Sequence, residues 1–200
     1  MNTKQKGNNF ERDCSRMLSL WWTNGKRDDA IWRSASSGAL TTVGKGRYLA
    51  HTGDFAATDE EAAWLFEHVI IEAKRGYNRY SMQDLLDVPV KSLRKNPVWE
   101  LYDKLATACY QQGKFGMLLW KRDRRDLLVF VRNQVFFKEG QCLWSLPENC
   151  DRFRLLGPDA VYLHGMPWEQ FESSVSADRL KSLLNPPAVS SSLTHLTLGQ

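Results

Sequence analysis

Apolar residues first recur at helical spacing over residues 9–22, NFERDCSRMLSLWW, where Phe10, Cys14, Met17, Leu18 and Trp21 share one face. This predicts a helix that Asn24-Gly25 brings to an end. Residues 30–35, AIWRSA, read as a short strand, and a loop rich in Gly and Ser follows. A brief strand is predicted at 54–57, then a turn or short helix over TDEEAAWLFE. Residues 68–74 open as a buried strand, with Val69, Ile70 and Ile71 in a row. Residues 78–98 are polar and hold two prolines, the mark of a loop with a short helix. The pattern turns helical again over 99–112, WELYDKLATACYQQ, ending at Gly113. FGMLLW and DLLVFV read as two strands around KRDRR (121–125), a charged hairpin tip. Residues 134–164 are β-like and 167–184 helical. From Asn185 periodicity ends, and Pro and Ser suggest a flexible tail.

The order helix, strands, helix, strands predicts an α/β domain built on a mixed sheet. Two hundred residues suffice for one domain with a true core and an added lobe. The chain divides into a core over 1–135, an extension packed on it over 136–184, and a tail over 185–200. The net charge of +4 suits a nucleic-acid partner without requiring one. Cys14, Cys109, Cys142 and Cys150 are scattered and form no CxxC pair, which argues against zinc and for reduced thiols. No apolar run is long enough to span a membrane, and MNTKQKGNNF is unlike a signal peptide. The expected compartment is cytoplasmic, with no membrane partner. A P-loop, a dinucleotide fingerprint and a serine elbow are all absent from the sequence.

Chemistry first shows in the strand at 68–74. Side chains two apart share a face, so Ile70, Glu72 and Lys74 point one way and Val69, Ile71 and Ala73 the other. Such an acid–base pair is common where a strand simply reaches solvent. Asp54 changes the weighing. Were 54–57 to pair with 68–74, Asp54 would lie beside Glu72, and two close carboxylates call for a cation between them. A hard divalent ion with oxygen ligands answers that need, although Gly53-Asp54 alone reads equally as a turn. Glu11 lies on the apolar stripe of the first helix with Cys14 and Leu18, and a charge there needs a reason. Asn8 and Glu11 would supply one as a capping box.

In sequence order these features are Glu11, Gly53-Asp54 and Glu72-Ala73-Lys74, and they resemble the PD-(D/E)xK nuclease superfamily, the restriction-endonuclease-like fold. Over residues 5–76 the chain is similar to the archaeal Holliday junction resolvases. The matching segments are Lys6-Gly7 with Glu11-Arg12, Arg33-Ser34 with Ser37-Gly38, the acid Asp54, and Glu72-Ala73-Lys74 for E-V-K. Two departures stand out. Gly53 replaces the proline that usually precedes the metal-binding Asp, and the basic loop 41–52 is an insertion.

The resemblance implies a restriction-endonuclease-like mixed β-sheet flanked by helices, with extra β-rich and helical C-terminal elements. It implies a Mg²⁺-dependent endodeoxyribonuclease, with Mn²⁺ as substitute ion, acting on double-stranded or branched DNA. Asp54, Glu72 and the Ala73 backbone carbonyl would hold the ion, and Glu11 would act through a water or ligate a second one. Lys74 would orient or deprotonate the attacking water, and Ser37 would contact the scissile phosphate. Lys45, Arg47, Arg75 and Arg79 are candidate backbone contacts, followed by Lys4, Lys6 and Arg33. Tyr48, Tyr77 and Tyr80 are candidates for stacking on bases. A junction resolvase would be a homodimer. A non-catalytic nucleic-acid-binding or assembly protein of the same fold, and a nuclease acting on RNA, are the alternatives.

Overall fold

A computed structural model describes residues 3–34, 50–132, 134–136, 142–145, 153–156 and 162–184. Ser37, Lys45, Arg47, Tyr48 and the tail from 185 lie outside the described residues, as does the side chain of Lys4.

The first helix, α1 (Thr3–Trp22), begins six residues earlier than the apolar pattern predicts. Residues 3–8 are polar and carry no periodicity that would reveal them. Phe10, Cys14, Leu18, Trp21 and Trp22 are its buried stripe. Asn24 and Gly25, at φ 53° and 79°, end it as expected, and the Gly25 amide returns to the Leu20 carbonyl. Buried Ser19 then fixes the next element. Its hydroxyl donates to the Ser15 and Ile31 carbonyls and accepts from the Ile31 amide at 2.8 Å, which holds β1 (Ile31–Arg33) against α1.

Two sheets meet in this half of the chain. The smaller orders β1, β3 (Phe55–Ala57) and β2 (Ala50–Thr52) antiparallel, with β3 in the centre. The larger runs β4–β5–β6–β10–β9. In it β4 (Val69–Arg75) and β5 (Phe115–Lys121) are parallel, while β6 (Leu127–Arg132), β10 (Tyr162–Pro167) and β9 (Phe153–Leu156) pair antiparallel. β7 (Gln134–Phe136) and β8 (Cys142–Ser145) form a separate ribbon. The mixed sheet flanked by helices is the fold class that the sequence predicts. The proposed pairing of 54–57 with 68–74 is not what forms. β3 pairs with its own hairpin partners, and only Gly53 bridges to β4, in parallel, at Ile71.

The helix α2 (Glu60–His68) is capped by Asp59, which accepts from the Ala62 amide at 2.8 Å, and Glu60 and Glu61 suit its positive end. A short helix α3 (Met82–Leu86) and a 3₁₀ turn (Val90–Lys95) follow. The next helix, α4 (Pro97–Gln112), starts with Asn96 as cap and Pro97 in its first turn, and ends at Gly113 with φ 65°. It covers one face of the large sheet, against Ile70, Leu118 and Trp120. α1 covers the other, against Val69, Ile71 and Ala73.

The chain after residue 135 returns into this architecture. β10 lies between β6 and β9, and α5 (Trp168–Ser174) and α6 (Ala177–Leu184) follow it. Trp21 packs edge-on to Trp168, with centroids 5.8 Å apart, and its indole N–H donates to the Val175 carbonyl at 2.9 Å. Fully buried Phe171 stands against both tryptophans. Phe171→Ala is therefore expected to cost about 3–5 kcal/mol. Urea unfolding followed by circular dichroism measures it; a loss below ~1 kcal/mol would show that the last helices do not share the core.

Candidate active site

Ile71 and Ala73 lie two apart on β4, so both turn their backbone polar groups to the same side. That side is the free edge of the strand, since β4 ends the large sheet. The Ile71 carbonyl accepts the Asp54 amide at 3.1 Å, and the Ala73 amide donates to Asp54 Oδ2 at 2.8 Å. By the same repeat the Ala73 carbonyl faces this edge as well. Ser34 completes the clamp: its amide donates to the Asp54 carbonyl at 2.8 Å, and its hydroxyl to the Gly53 carbonyl at 3.0 Å.

Gly53 is what makes this approach achievable. Its φ is +67°, and a Cβ there would run into the Ile71 carbonyl oxygen. Proline, locked near φ −65°, is excluded, which accounts for the glycine that departs from the superfamily pattern.

Asp54, Glu72 and Lys74 meet at one point. The Lys74 ammonium lies 2.9 Å from Asp54 Oδ2 and 2.5 Å from Glu72 Oε2. Burial raises the Glu72 pKa and nearby Asp54 adds to it, with Lys74 opposing. For Lys74, burial acts to lower the pKa, but the two carboxylates more than offset it and the net shift is upward.

Glu11 reaches the cluster from the α1 side. It is not part of a capping box: the helix begins at Thr3, so Asn8 lies within it and Glu11 beyond its second turn. Its Oε2 lies 3.5 Å from Arg33 Nη1. Burial and Asp54 raise its pKa, while Arg33 and Lys74 pull it down. Among the described residues no three metal-ligating side chains converge on one point. Asp54 and Glu72 are joined through Lys74, and Glu11 pairs with Arg33.

These residues fit a hard divalent cation. Two carboxylates and a strand-edge carbonyl are the oxygen donors such an ion takes.

Sequence reasoning missed a second cluster beside the first. Asp123, at the tip of the β5–β6 hairpin, accepts from Lys6, from Arg75 Nε at 3.3 Å and from Asn78 Nδ2 at 2.9 Å. Arg122 donates to the Tyr80 carbonyl at 2.5 Å and lies over the Trp120 ring. Lys6 and Arg75, predicted as DNA contacts, are thus gathered from α1 and β4 onto one acid. Arg79 instead lies over its neighbour, the Tyr80 ring, at 4.7 Å. KRDRR gives no sign in sequence that its aspartate is such a hub.

The hydrogen bonds from Lys6 and Asn78 depress the Asp123 pKa to about 2, below its unfolded value of ~3.9. Its contribution to stability is complete above pH ~4 and is lost as pH falls through about 2. Asp123→Asn should melt below wild type at pH 7, and the gap should close between pH ~4 and ~2. Thermal melts across that range check it; a gap independent of pH would show that the charge is not what stabilises.

Residues 2–140 match the family described as "Phage putative PDDEXK endonuclease". The chain belongs to that family. The matched range includes Glu11, Asp54, Glu72 and Lys74, and the family is one of nucleases. The chain also has a similarity to the 1.6 Å structure of Archaeoglobus fulgidus Hjc, a Holliday junction resolvase from an archaeal hyperthermophile. The identity is 12%, over 88% of this chain and 99% of that one, with a TM-score of 0.29. No curated protein matches the chain. Among the described residues no helix is long and apolar enough to cross a membrane. Cys14 and Cys109 are buried free thiols.

Proposed function

We propose that the protein is a Mg²⁺-dependent endodeoxyribonuclease, with its centre at the free edge of β4. The observation that carries this is the meeting of Asp54, Glu72 and Lys74 at one point, in a chain of the PDDEXK endonuclease family. Asp54, Glu72 and the Ala73 carbonyl would hold the ion. When bound there, a divalent cation supplies water activation and charge relief at the phosphate.

The chain's own groups do the rest. Lys74, in contact with both carboxylates, offsets phosphate charge and orients or deprotonates the attacking water. Glu11 adds a third carboxylate from the α1 side, steadied by Arg33. Arg33, Lys6, Arg75 and Arg79 contact the DNA backbone, joined by Ser37, Lys45 and Arg47. Each such contact steepens the salt dependence of binding.

The test is cleavage of supercoiled plasmid, linear duplex, single strand and a four-way junction, with Mg²⁺, Mn²⁺ or EDTA. Cutting in Mg²⁺ and Mn²⁺ that EDTA abolishes is the expected result. Cutting unaffected by EDTA overturns the metal reading. Paired incisions of the junction by a dimer would make the enzyme a resolvase, and binding without cutting would favour a non-catalytic role.

A further inference from the structure

The cavity that holds Glu72 and Lys74 has a wall that phosphate hydrolysis alone does not require. α4 lies along it and presents Leu101, Leu105 and Ala108 on one helical stripe, with Lys104 beside them. Ile70 and Leu118 form the floor, and the cavity measures about 220 Å³. Leu105 is buried, Leu101 and Ala108 half-buried. An apolar recess thus opens directly onto the candidate hydrolytic groups.

A paired strand has nothing to place there. Its base faces are stacked inside the duplex, and toward the nuclease it shows sugar, phosphate and only the edges of its bases. An unpaired base, by contrast, has two apolar faces and reaches no further than one nucleotide from the phosphate being cut. The charge on the wall points the same way. Among the described residues Lys104 pairs with Glu100, one turn back, at 3.2 Å, and the two side chains are 72% and 60% exposed. Such a pair holds the lysine weakly, so its ammonium is available to a phosphate.

We propose that this cleft seats the unpaired base of a nucleotide adjoining the scissile phosphate, against Leu101, Leu105 and Ala108, with Lys104 on a flanking phosphate. The inference rests on the nuclease reading and narrows its substrate to a strand that is unpaired at the cut: single-stranded, branched or locally opened DNA. A duplex must first give up pairing and stacking there, so it is cut more slowly.

The experiment compares single-stranded oligonucleotides of one sequence, intact or carrying an abasic site at each position around the mapped cut. With the wild-type chain and Mg²⁺, the abasic site is expected to lower kcat/KM about tenfold at one adjoining position and little elsewhere. Ala108→Phe, which fills the recess, should bring cutting of the intact strand down to the abasic level. Lys104→Ala should reduce the slope of log Kd against log salt by about 0.7. Equal cutting of intact and abasic strands by wild type overturns the cleft while leaving the nuclease reading intact. If no strand is cut with any metal, the nuclease reading fails first. The Kd values of the same strands then judge the cleft, and equal affinities overturn it too.

Discussion

Asp54→Asn should lower metal-dependent cutting by at least ~10²–10³-fold and leave the fold in place. The amide keeps an oxygen for the Ala73 N–H, which Asp54 Oδ2 now accepts at 2.8 Å, so the strand edge stays closed. What it loses is the charge that binds a cation and faces Lys74. Lys74→Met should fall by a similar factor for a different reason. It removes the ammonium and leaves Asp54 and Glu72 facing each other with burial already raising the Glu72 pKa. The two variants therefore separate on metal titration. Asp54→Asn should need far more Mg²⁺, whereas Lys74→Met should bind the ion and turn over slowly. Single-turnover cleavage over a Mg²⁺ series measures both, and near-wild-type rates in either would remove that residue from the centre.

Gly53→Ala should be nearly as damaging to activity without touching any reactive group. The residue sits at φ +67°, where a side chain is strained, and its new Cβ would meet the Ile71 carbonyl and lie 3.2 Å from Ile70 Cγ2. Left-handed backbone alone costs roughly 1–2 kcal/mol. Relief requires the 53–54 segment to move off β4, which breaks the Asp54 amide bond to Ile71 and carries the carboxylate away from Glu72 and Lys74. The expected outcome is a drop in cutting of about 10²-fold with a lowered Tm. A variant with a lower Tm but full activity would show that the segment adapts without displacing Asp54.

Periodicity made the large elements legible. The alternation in β4 put Glu72 and Lys74 on one side, and the apolar stripe of α1 located Glu11. Asp54 was legible as a neighbour of Glu72, through a pairing of 54–57 with 68–74 that does not form, and as a member of the series Glu11, Asp54, Glu72-Ala73-Lys74. The manner of its approach was not, because a single parallel bridge at Gly53 is a tertiary event with no local pattern. The start of α1 was hidden for the opposite reason: residues 3–8 are polar all round, and Gly7 adds no helical preference. Asp123 stayed hidden because its partners, Lys6, Arg75 and Asn78, come from distant parts of the chain. The place of β10 inside the sheet was equally silent, since a strand pattern does not say which neighbours it takes.

The packing of Trp21 has a consequence for how the enzyme comes into being. Its indole bonds to Val175, 154 residues later in the chain, and α1 also supplies Glu11 and Lys6. During synthesis the helix that bears these groups leaves the ribosome well before the segment that covers it. Contacts of such long range are made late. A half-made chain, even one already holding Asp54, Glu72 and Lys74, would lack the support that sets α1 in place.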